Sequence, residues 1–376
     1  MTVGQSKPEW IDADAHILEP RALWEYVDKE FRDRIRLTQM TDDREIDPCI
    51  YDVSIDGNPI PIWIGNRQER FDALIPSIKK RYKPGSGWVP EQYLKDLDLE
   101  GIDQAVIYPT LFLWATWIPQ LGARFGSALA RAYNDWIYDF CAADRRRLKP
   151  VAVISLHDVE SAIREVRRVA DRGFVGVFVR PNPMYGRTLG HPDYHPLYKV
   201  MEELRLPLGI HEGQISYLPT LGLDRTNARW GIHAMSHPFE QMAAMVSLVE
   251  HSVFDMFPKL HVLFLEAGTA LWVPYWLNRL DAGRHHYRAT GGAKGLLPSE
   301  CFNRQGWVTC EVDDPYLKQT LEIMHEDRLL MSTDYPHQES PYPNSVKIFL
   351  EQKISEKSRT LIGTLNARAA YPRLGE

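Results

Sequence analysis

Short apolar runs alternate along most of the chain with longer segments in which apolar residues recur every three or four positions. The short runs predict buried strands, and recurrence at three- and four-residue steps predicts amphipathic helices. Eight strands are predicted, at residues 10–16, 101–109, 148–155, 173–181, 205–211, 259–266, 306–312 and 327–334. Because helical segments separate the strands from about residue 100 onward, we expect parallel strands whose outer face is covered by helices.

Two of the intervening segments carry clear helical signals. In the first, one helical face is apolar, with Phe125, Leu129, Ala132, Trp136 and Phe140. In the second, Asp158 is expected to cap the start of the helix, and Gly173 lies just beyond its end.

Eight strand–helix units favour an α/β protein built as a (β/α)8 TIM barrel over an open doubly wound sheet, and no GxGxxG motif follows the first strand. The connection after that strand is the exception to the alternation. Residues 20–95 are predicted to be an insertion after strand 1, and the stretch "YDVSIDGNPIPIWIG" indicates a hairpin at Asp56-Gly57. We therefore expect residues 1–376 to form a single barrel domain with residues 20–95 as a cap-like segment.

Composition narrows the class of protein. The chain is 44% hydrophobic and 25% charged, which is typical of a globular protein with a sizeable core. Its formal charge is −6, and the basic cluster at residues 145–149 ends a helical pattern, where cations complement the helix dipole. No nucleic-acid partner is expected. The four cysteines have no CxxC spacing and do not indicate a disulfide framework.

The location is expected to be cytoplasmic, without a membrane partner. The N-terminal stretch "MTVGQSKPEW" lacks the pattern of a signal peptide. No apolar run approaches the roughly 18 residues that a membrane-spanning helix requires.

Chemically capable side chains stand at or near the carboxyl end of every predicted strand, where TIM-barrel active sites lie. They are Asp14, His16, Tyr108, His157, Arg180, His211, Glu266, Glu311 and Asp334. Asp14 and His16 are two residues apart, so they point to the same face of their strand. Together with His211 and Asp334 they offer imidazole and carboxylate ligands for one divalent metal. Taken alone, His211 is also consistent with a histidine of the core or of a loop that is hydrogen-bonded within the protein and binds no metal.

Five residues are candidates for contact with the substrate. Tyr108 and Trp114 belong to a group of aromatic residues suited either to a flat, apolar substrate or to helix packing. Arg180 is able to pair with a substrate carboxylate or with a neighbouring acid. Glu266 and Glu311, at the ends of the sixth and seventh strands, complete the set.

Four stretches resemble the amidohydrolase superfamily: "DADAHILEP" (12–20), "LPLGIHEG" (206–213), "FPKLHVLFLEAG" (257–268) and "LLMSTDYPH" (329–337). More narrowly, they resemble the amidohydrolase-2 branch, which includes aminocarboxymuconate semialdehyde, resorcylate and carboxyvanillate decarboxylases. The resemblance implies one divalent ion, zinc or manganese, held by Asp14, His16, His211 and Asp334, without an organic cofactor.

Two departures from the family pattern bear on the metal. Many members open with His-x-His, whereas this chain has Asp14-Ala15-His16, and the harder carboxylate ligand favours manganese. Some relatives have a histidine where this chain has Glu266. The stretch "FVGVFVRPNP" also lacks the lysine that dinuclear members carboxylate at strand four. A single metal ion is therefore expected.

The stretch "HPFE" resembles the part of the family sequence that carries a histidine beside the metal site. His237 and Glu240 are accordingly interpreted as catalytic, with His237 as a proton shuttle. The alternative is a helix start at which His237 faces solvent and Glu240 complements the dipole.

Three functions remain open on these residues. The first is nonoxidative decarboxylation of an aromatic or unsaturated cyclic acid, with Asp334 or His237 supplying the proton. The second is hydrolysis of an amide, lactone or vinylogous C–C bond by a metal-activated water. The third is a barrel that binds a ligand without catalysis. By analogy, the aromatic stretch at residues 272–280 is expected to form a homodimer interface.

Overall fold

The computed structural model describes residues 9–46, 48–61, 67–287 and 295–376. Most of the N-terminal stretch "MTVGQSKPEW" and the distal part of the predicted hairpin, residues 62–65, lie outside the described residues. The described strands are β1 (Ile11–His16), β2 (Ile35–Gln39), β3 (Tyr51–Ile55), β4 (Asn58–Pro59), β5 (Gln104–Tyr108), β6 (Leu148–Val153), β7 (Gly176–Val179), β8 (Leu208–His211), β9 (Val262–Leu265), β10 (Gly306–Glu311) and β11 (Leu329–Ser332).

Helices surround the strands. They are α1 (Arg67–Arg81), α2 (Pro90–Glu100), α3 (Phe112–Ala115), α4 (Gly122–Phe140), α5 (Val159–Ala170), α6 (His195–Glu203), α7 (Arg229–Glu250), α8 (Val253–Met256), α9 (Trp272–His286), α10 (Pro298–Gln305), α11 (Leu317–Ile323), α12 (Ser345–Glu351), α13 (Glu356–Thr360) and α14 (Asn366–Ala370).

Eight parallel strands form the central sheet, in the order β1-β5-β6-β7-β8-β9-β10-β11. All eight strands predicted from the apolar runs are present, although most are shorter than the runs. Gly173, for example, has a φ of +80° and lies in the turn before β7 instead of in the strand. A positive φ suits glycine, which lacks a Cβ.

The sheet nearly closes between its first and last strands. The backbone N–H of His16 donates to the carbonyl of Tyr335 at 2.6 Å, and that of Asp334 donates to the carbonyl of Asp14 at 3.3 Å. The side chain of Asp12 accepts from the backbone N–H of Thr333 at 3.2 Å. The predicted TIM barrel is thus confirmed, and its closure joins the two ends of the chain.

The predicted helix signals also hold. All five predicted apolar residues of α4 are buried: Phe125, Leu129, Ala132, Trp136 and Phe140. The carboxylate of Asp158 accepts a hydrogen bond from the backbone N–H of Ser161 at 2.9 Å, which is the geometry of an N-cap.

The connection between β1 and β5 contains its own small sheet together with α1 and α2. β3 pairs antiparallel with β2 and with β4, and the turn between β3 and β4 has positive φ at Asp56 (52°) and Gly57 (75°). That turn is the hairpin predicted at Asp56-Gly57. Met40, Ile46, Ile50 and Phe71 form an apolar cluster separate from the barrel core.

Candidate metal centre

The four predicted metal ligands meet at the carboxyl end of the barrel. Asp14 and His16 lie in β1, His211 ends β8, and Asp334 follows β11. Nε2 of His16 lies 3.8 Å from Oδ1 of Asp14 and 3.4 Å from Oδ1 of Asp334. Nε2 of His211 lies 4.0 Å from Oδ1 of Asp14. Closure of the barrel therefore brings together side chains that are more than three hundred positions apart in sequence.

One atom from each of these four residues is buried and makes no hydrogen bond to a described residue. They are Asp14 Oδ1, His16 Nε2, His211 Nε2 and Asp334 Oδ1. Asp14, His16 and His211 offer ligand atoms that all lie within 4.8 Å of one another, and Asp334 offers one within 4.8 Å of His16, Glu266 and His337. Buried polar atoms are almost always hydrogen-bonded, so these atoms favour a further partner. Two imidazole nitrogens and two carboxylate oxygens form a donor set that suits a divalent metal.

The backbone sets the orientation of both imidazole rings. Nδ1 of His16 lies 2.8 Å from the carbonyl oxygen of Pro109, and Nδ1 of His211 lies 2.5 Å from that of Glu212. Because a carbonyl oxygen only accepts, Nδ1 carries a proton in each ring, and Nε2 is the ring atom turned toward the carboxylates of the centre. This is the usual arrangement of a metal-ligating histidine.

Charge balance at the centre is unfavourable without a cation. Burial raises the pKa values of the Asp14 and Asp334 carboxyls well above their ordinary value. Burial also lowers the pKa of His16 well below its ordinary value, and neighbouring His337 and His211 lower it further. A bound cation would reverse the shift of the two carboxyls by stabilising their ionised forms, and the neutral form of His16 is already the form that binds a metal.

Glu266 lies beside these ligands, directly after β9. Its Oε2 is 3.1 Å from Nε2 of His211, and its Oε1 is 3.5 Å from Nε2 of His233 and 3.6 Å from Nε2 of His237. Burial opposes ionisation of Glu266, yet the three histidines hold the pKa of this carboxyl well below its usual range. Glu266 therefore lies next to both a predicted ligand, His211, and the predicted proton shuttle, His237.

His237 points into the site. It lies in the interior of α7, is only 3% exposed, and stacks on His233 with 4.1 Å between ring centroids. Burial lowers its pKa to about 3. The alternative of a solvent-facing residue at a helix start is therefore wrong for His237.

Glu240 faces another part of the site. Its carboxylate accepts from the backbone N–H of Leu221 at 2.6 Å, and it interacts with Asn182 and Arg180. It is buried in the interior of α7 and does not complement a helix start. A catalytic role for Glu240 stays a prediction.

Arg180 is fully buried and pairs with protein groups. Its guanidinium donates to Oε1 of Glu212 at 2.7 Å, to Oδ1 of Asn182 at 2.8 Å and to the carbonyl of Leu113 at 2.9 Å. Of the two interpretations given for Arg180, the structure shows the second, in which the guanidinium pairs with a neighbouring acid, Glu212.

The remaining predicted substrate contacts occupy different environments. Tyr108 is buried in the barrel, with its hydroxyl 2.9 Å from that of Tyr371, so it does not face the cavity. Trp114 lines the cavity and donates its indole N–H to the carbonyl of Ile215 at 2.6 Å. Glu311 ends β10, where burial raises its pKa to about 7.

Two histidines of the site were not singled out from sequence. His233 precedes His237 by one helical turn, and this spacing is the signal that would have found it. His337 stacks on His16 with 4.0 Å between centroids, and its Nδ1 is 2.7 Å from Oδ1 of Asp334. Its Nε2 lies 2.8 Å from the Thr110 hydroxyl.

Among the described residues, no helix has the length and apolar character needed to cross a membrane.

Known proteins resemble this chain over most of its length. The family described as amidohydrolase matches residues 11–373. The 2-amino-3-carboxymuconate-6-semialdehyde decarboxylase of Dictyostelium discoideum is 24% identical over 275 residues, or 73% of each chain. The gamma-resorcylate decarboxylase of Rhizobium radiobacter is 26% identical over 330 residues, or 78% of this chain and 95% of the relative.

A solved structure shares the fold. It is the 5-carboxyvanillate decarboxylase of Novosphingobium aromaticivorans, complexed with manganese and 4-hydroxy-3-methoxy-5-nitrobenzoic acid. Its TM-score is 0.69 at 20% identity, over 99% of this chain and 98% of that one. Because the family match spans nearly the whole chain, this protein belongs to the amidohydrolase family.

Proposed function

We propose that this protein is a metal-dependent carboxy-lyase that removes CO2 from an aromatic or unsaturated cyclic carboxylic acid. The observation that carries the proposal is the convergence of four buried ligand atoms that make no hydrogen bond to a described residue. The named activities of the relatives, which are decarboxylases, support the choice of reaction.

Asp14, His16, His211 and Asp334 are proposed to hold a single ion. When bound, the metal supplies a Lewis acid that orients a substrate carboxylate or phenolate and offsets negative charge. The two carboxylate ligands favour manganese over zinc, and a relative of the same fold carries manganese.

The protein's own side chains supply the proton. Asp334, or His237 in its protonated form, donates a proton to the ring carbon that bears the carboxylate, which makes that carbon tetrahedral. The bond to the carboxylate then breaks, its electron pair restores the ring, and CO2 leaves. Glu266 orients His237 from 3.6 Å, and Trp114 offers an aromatic surface beside the substrate ring.

The buried groups around the site are assigned to positioning. Arg180 and Glu212 fix the loop that follows β8, because the guanidinium also reaches the carbonyl of Gln214 at 3.3 Å. Glu240, on the same network, holds the backbone of Leu221. Tyr108 packs inside the barrel against Tyr371, and a substrate contact by Glu311 stays a prediction.

The test reconstitutes the purified protein with manganese or zinc and screens aromatic acids for CO2 release, alongside esters, lactones and amides. We expect CO2 release that requires the metal and leaves no solvent oxygen-18 in the organic product. Incorporation of oxygen-18 with hydrolysis of an ester, lactone or amide would instead establish the hydrolase. Failure to retain any metal after reconstitution would favour a barrel that binds a ligand without catalysis.

We also propose that two copies pair through α9. Tyr275 is 61% exposed, and it borders an apolar groove with Phe239 and Leu221, which are 46% and 45% exposed. Exposed apolar surface of this kind is typical of an interface. Light scattering of the wild-type protein should give twice the mass of one chain. Tyr275→Asp should reduce the measured mass to that of one chain. Tyr316→Asp, at another exposed tyrosine, is the control and should leave the mass unchanged. A monomeric wild-type protein would refute the proposal.

A further inference from the structure

A single cavity extends from the metal centre into the insertion. Near the centre it is lined by His237, Glu266 and His337, and Trp114 borders it as well. The insertion contributes many apolar side chains to the same cavity, and we call six of them the apolar chamber: Ile46, Ile50, Val53, Phe71, Leu74 and Ile78. A compact ring acid at the metal centre would leave the chamber without an occupant.

The α1 side of the chamber is apolar and only partly buried. Phe71, Leu74 and Ile78 recur along one face of α1 at three- and four-residue spacing. Leu74 and Ile78 are only half-buried, although this face turns inward toward the cavity. Apolar surface left facing a cavity costs free energy in proportion to its area, so the arrangement favours an apolar occupant.

Polar groups of the cavity lie elsewhere along its wall. Lys83, Gln338 and Glu339 line the cavity but are exposed, which places them toward its opening. Asp52, also on the wall, is half-buried. None of the six chamber side chains carries a hydrogen-bonding group. An occupant of the chamber would therefore be recognised by shape and apolar contact, as in most small-molecule sites.

We propose that the substrate is a cyclic acid carrying an alkyl or aryl substituent, with its carboxylate at the metal centre and the substituent in the apolar chamber. The inference rests on the proposed function for the reacting end of the molecule. It assigns the insertion the role of selecting substrates by their hydrophobic substituent.

The experiment uses the manganese-loaded protein and a series of hydroxybenzoic acids whose alkyl substituent grows by one methylene at a time. Binding is measured by calorimetry, and kcat/KM by CO2 release. Affinity and kcat/KM are expected to rise about fourfold for each methylene that the chamber buries.

Ile78→Gln tests the chamber directly, because a half-buried position tolerates a polar side chain better than a core position. The ratio of affinities between the longest and the unsubstituted acid is expected to fall about tenfold in this variant. Ile323→Gln is the matched control, since Ile323 is 62% exposed at the end of α11. Leu74→Trp gives a second variant, which narrows the chamber and should lower the same ratio.

The outcomes separate this inference from the proposed function. Decarboxylation of compact acids with no gain from longer substituents overturns the inference and leaves the proposed function intact. Binding that tightens with length and is lost in Ile78→Gln, without CO2 release from any acid, supports the chamber and overturns the proposed reaction.

Discussion

At the scale of single residues, the site depends on hydrogen bonds that orient side chains before any ligand arrives. His16 and His211 each donate Nδ1–H to a backbone carbonyl, and this leaves Nε2 of each ring facing Asp14. Residues that only neighbour the centre act differently. Arg180, for example, uses its donors on Glu212, Asn182 and Leu113 and so behaves as a structural cation.

Replacing one proposed ligand should separate metal binding from folding. His211→Ala is expected to lower metal affinity by more than the roughly 10- to 100-fold typical of outer-sphere partners, because it removes a direct ligand. Asp334→Asn should keep the fold and lose turnover. Elemental mass spectrometry measures the metal content of each variant, and circular dichroism measures whether it is folded. Full activity in either variant would contradict the assignment.

His237 should matter to turnover and not to metal content. His237→Asn is expected to lower kcat by roughly 10²- to 10⁴-fold, which is the usual contribution of a general acid or base. His285→Asn, at an exposed histidine of α9, is the matched control and should leave kcat unchanged. Equal losses of metal and activity in the His237 variant would argue that it acts as a ligand instead.

At the scale of elements, local sequence predicts which segments are strands and helices better than where they end. The carboxylate cap at Asp158 and the apolar face of α4 depend on neighbours within a turn or two, so they are readable from sequence. Packing between strands is different, because it depends on side chains from elsewhere in the chain. The hydroxyl of Tyr108 is an example, since it reaches across β8 at Gly209.

Two glycine substitutions should have opposite effects on stability. A Cβ at Gly209 would lie 2.5 Å from the Tyr108 hydroxyl, so Gly209→Ala should destabilise the fold by about 1–3 kcal/mol. Gly283 lies in α9, and outside its chain neighbours and its own helix backbone no heavy atom of the described residues lies within 4 Å of its Cβ position, so Gly283→Ala should stabilise the fold by about 0.5–1 kcal/mol. Urea denaturation measures both, and a Gly209→Ala protein as stable as wild type would contradict the packing.

At the scale of the whole molecule, barrel closure and metal binding are linked. Asp14 and Asp334 come from opposite ends of the chain, and the backbone N–H of Asp334 donates to the carbonyl of Asp14 where β1 meets β11. An ion held between them would act as a cross-link between the first and last strands. The insertion lies beside the site, because its side chains line the same cavity as Glu266 and His337.

Metal removal should therefore lower the stability of the whole barrel. A ligand that binds only the folded state at a hundredfold excess over its Kd contributes about 2.7 kcal/mol. Scanning calorimetry is expected to show a lower Tm after treatment with a chelator, and restoration of Tm by manganese. The difference should vanish in His211→Ala and persist in His285→Asn. An unchanged Tm in the wild-type protein would contradict the metal centre.

The sequence was sufficient to predict the eight strands, the hairpin at Asp56-Gly57 and the group of polar residues at the strand ends. These features follow from periodicity and position, which depend on short-range interactions. Three contacts are visible only in the folded barrel, namely Arg180 with Glu212, Tyr108 with Tyr371, and Glu266 with His237. Such pairings depend on distances between strands that no local pattern encodes. For the same reason, the apolar chamber emerged only when α1 and β3 were brought over the barrel.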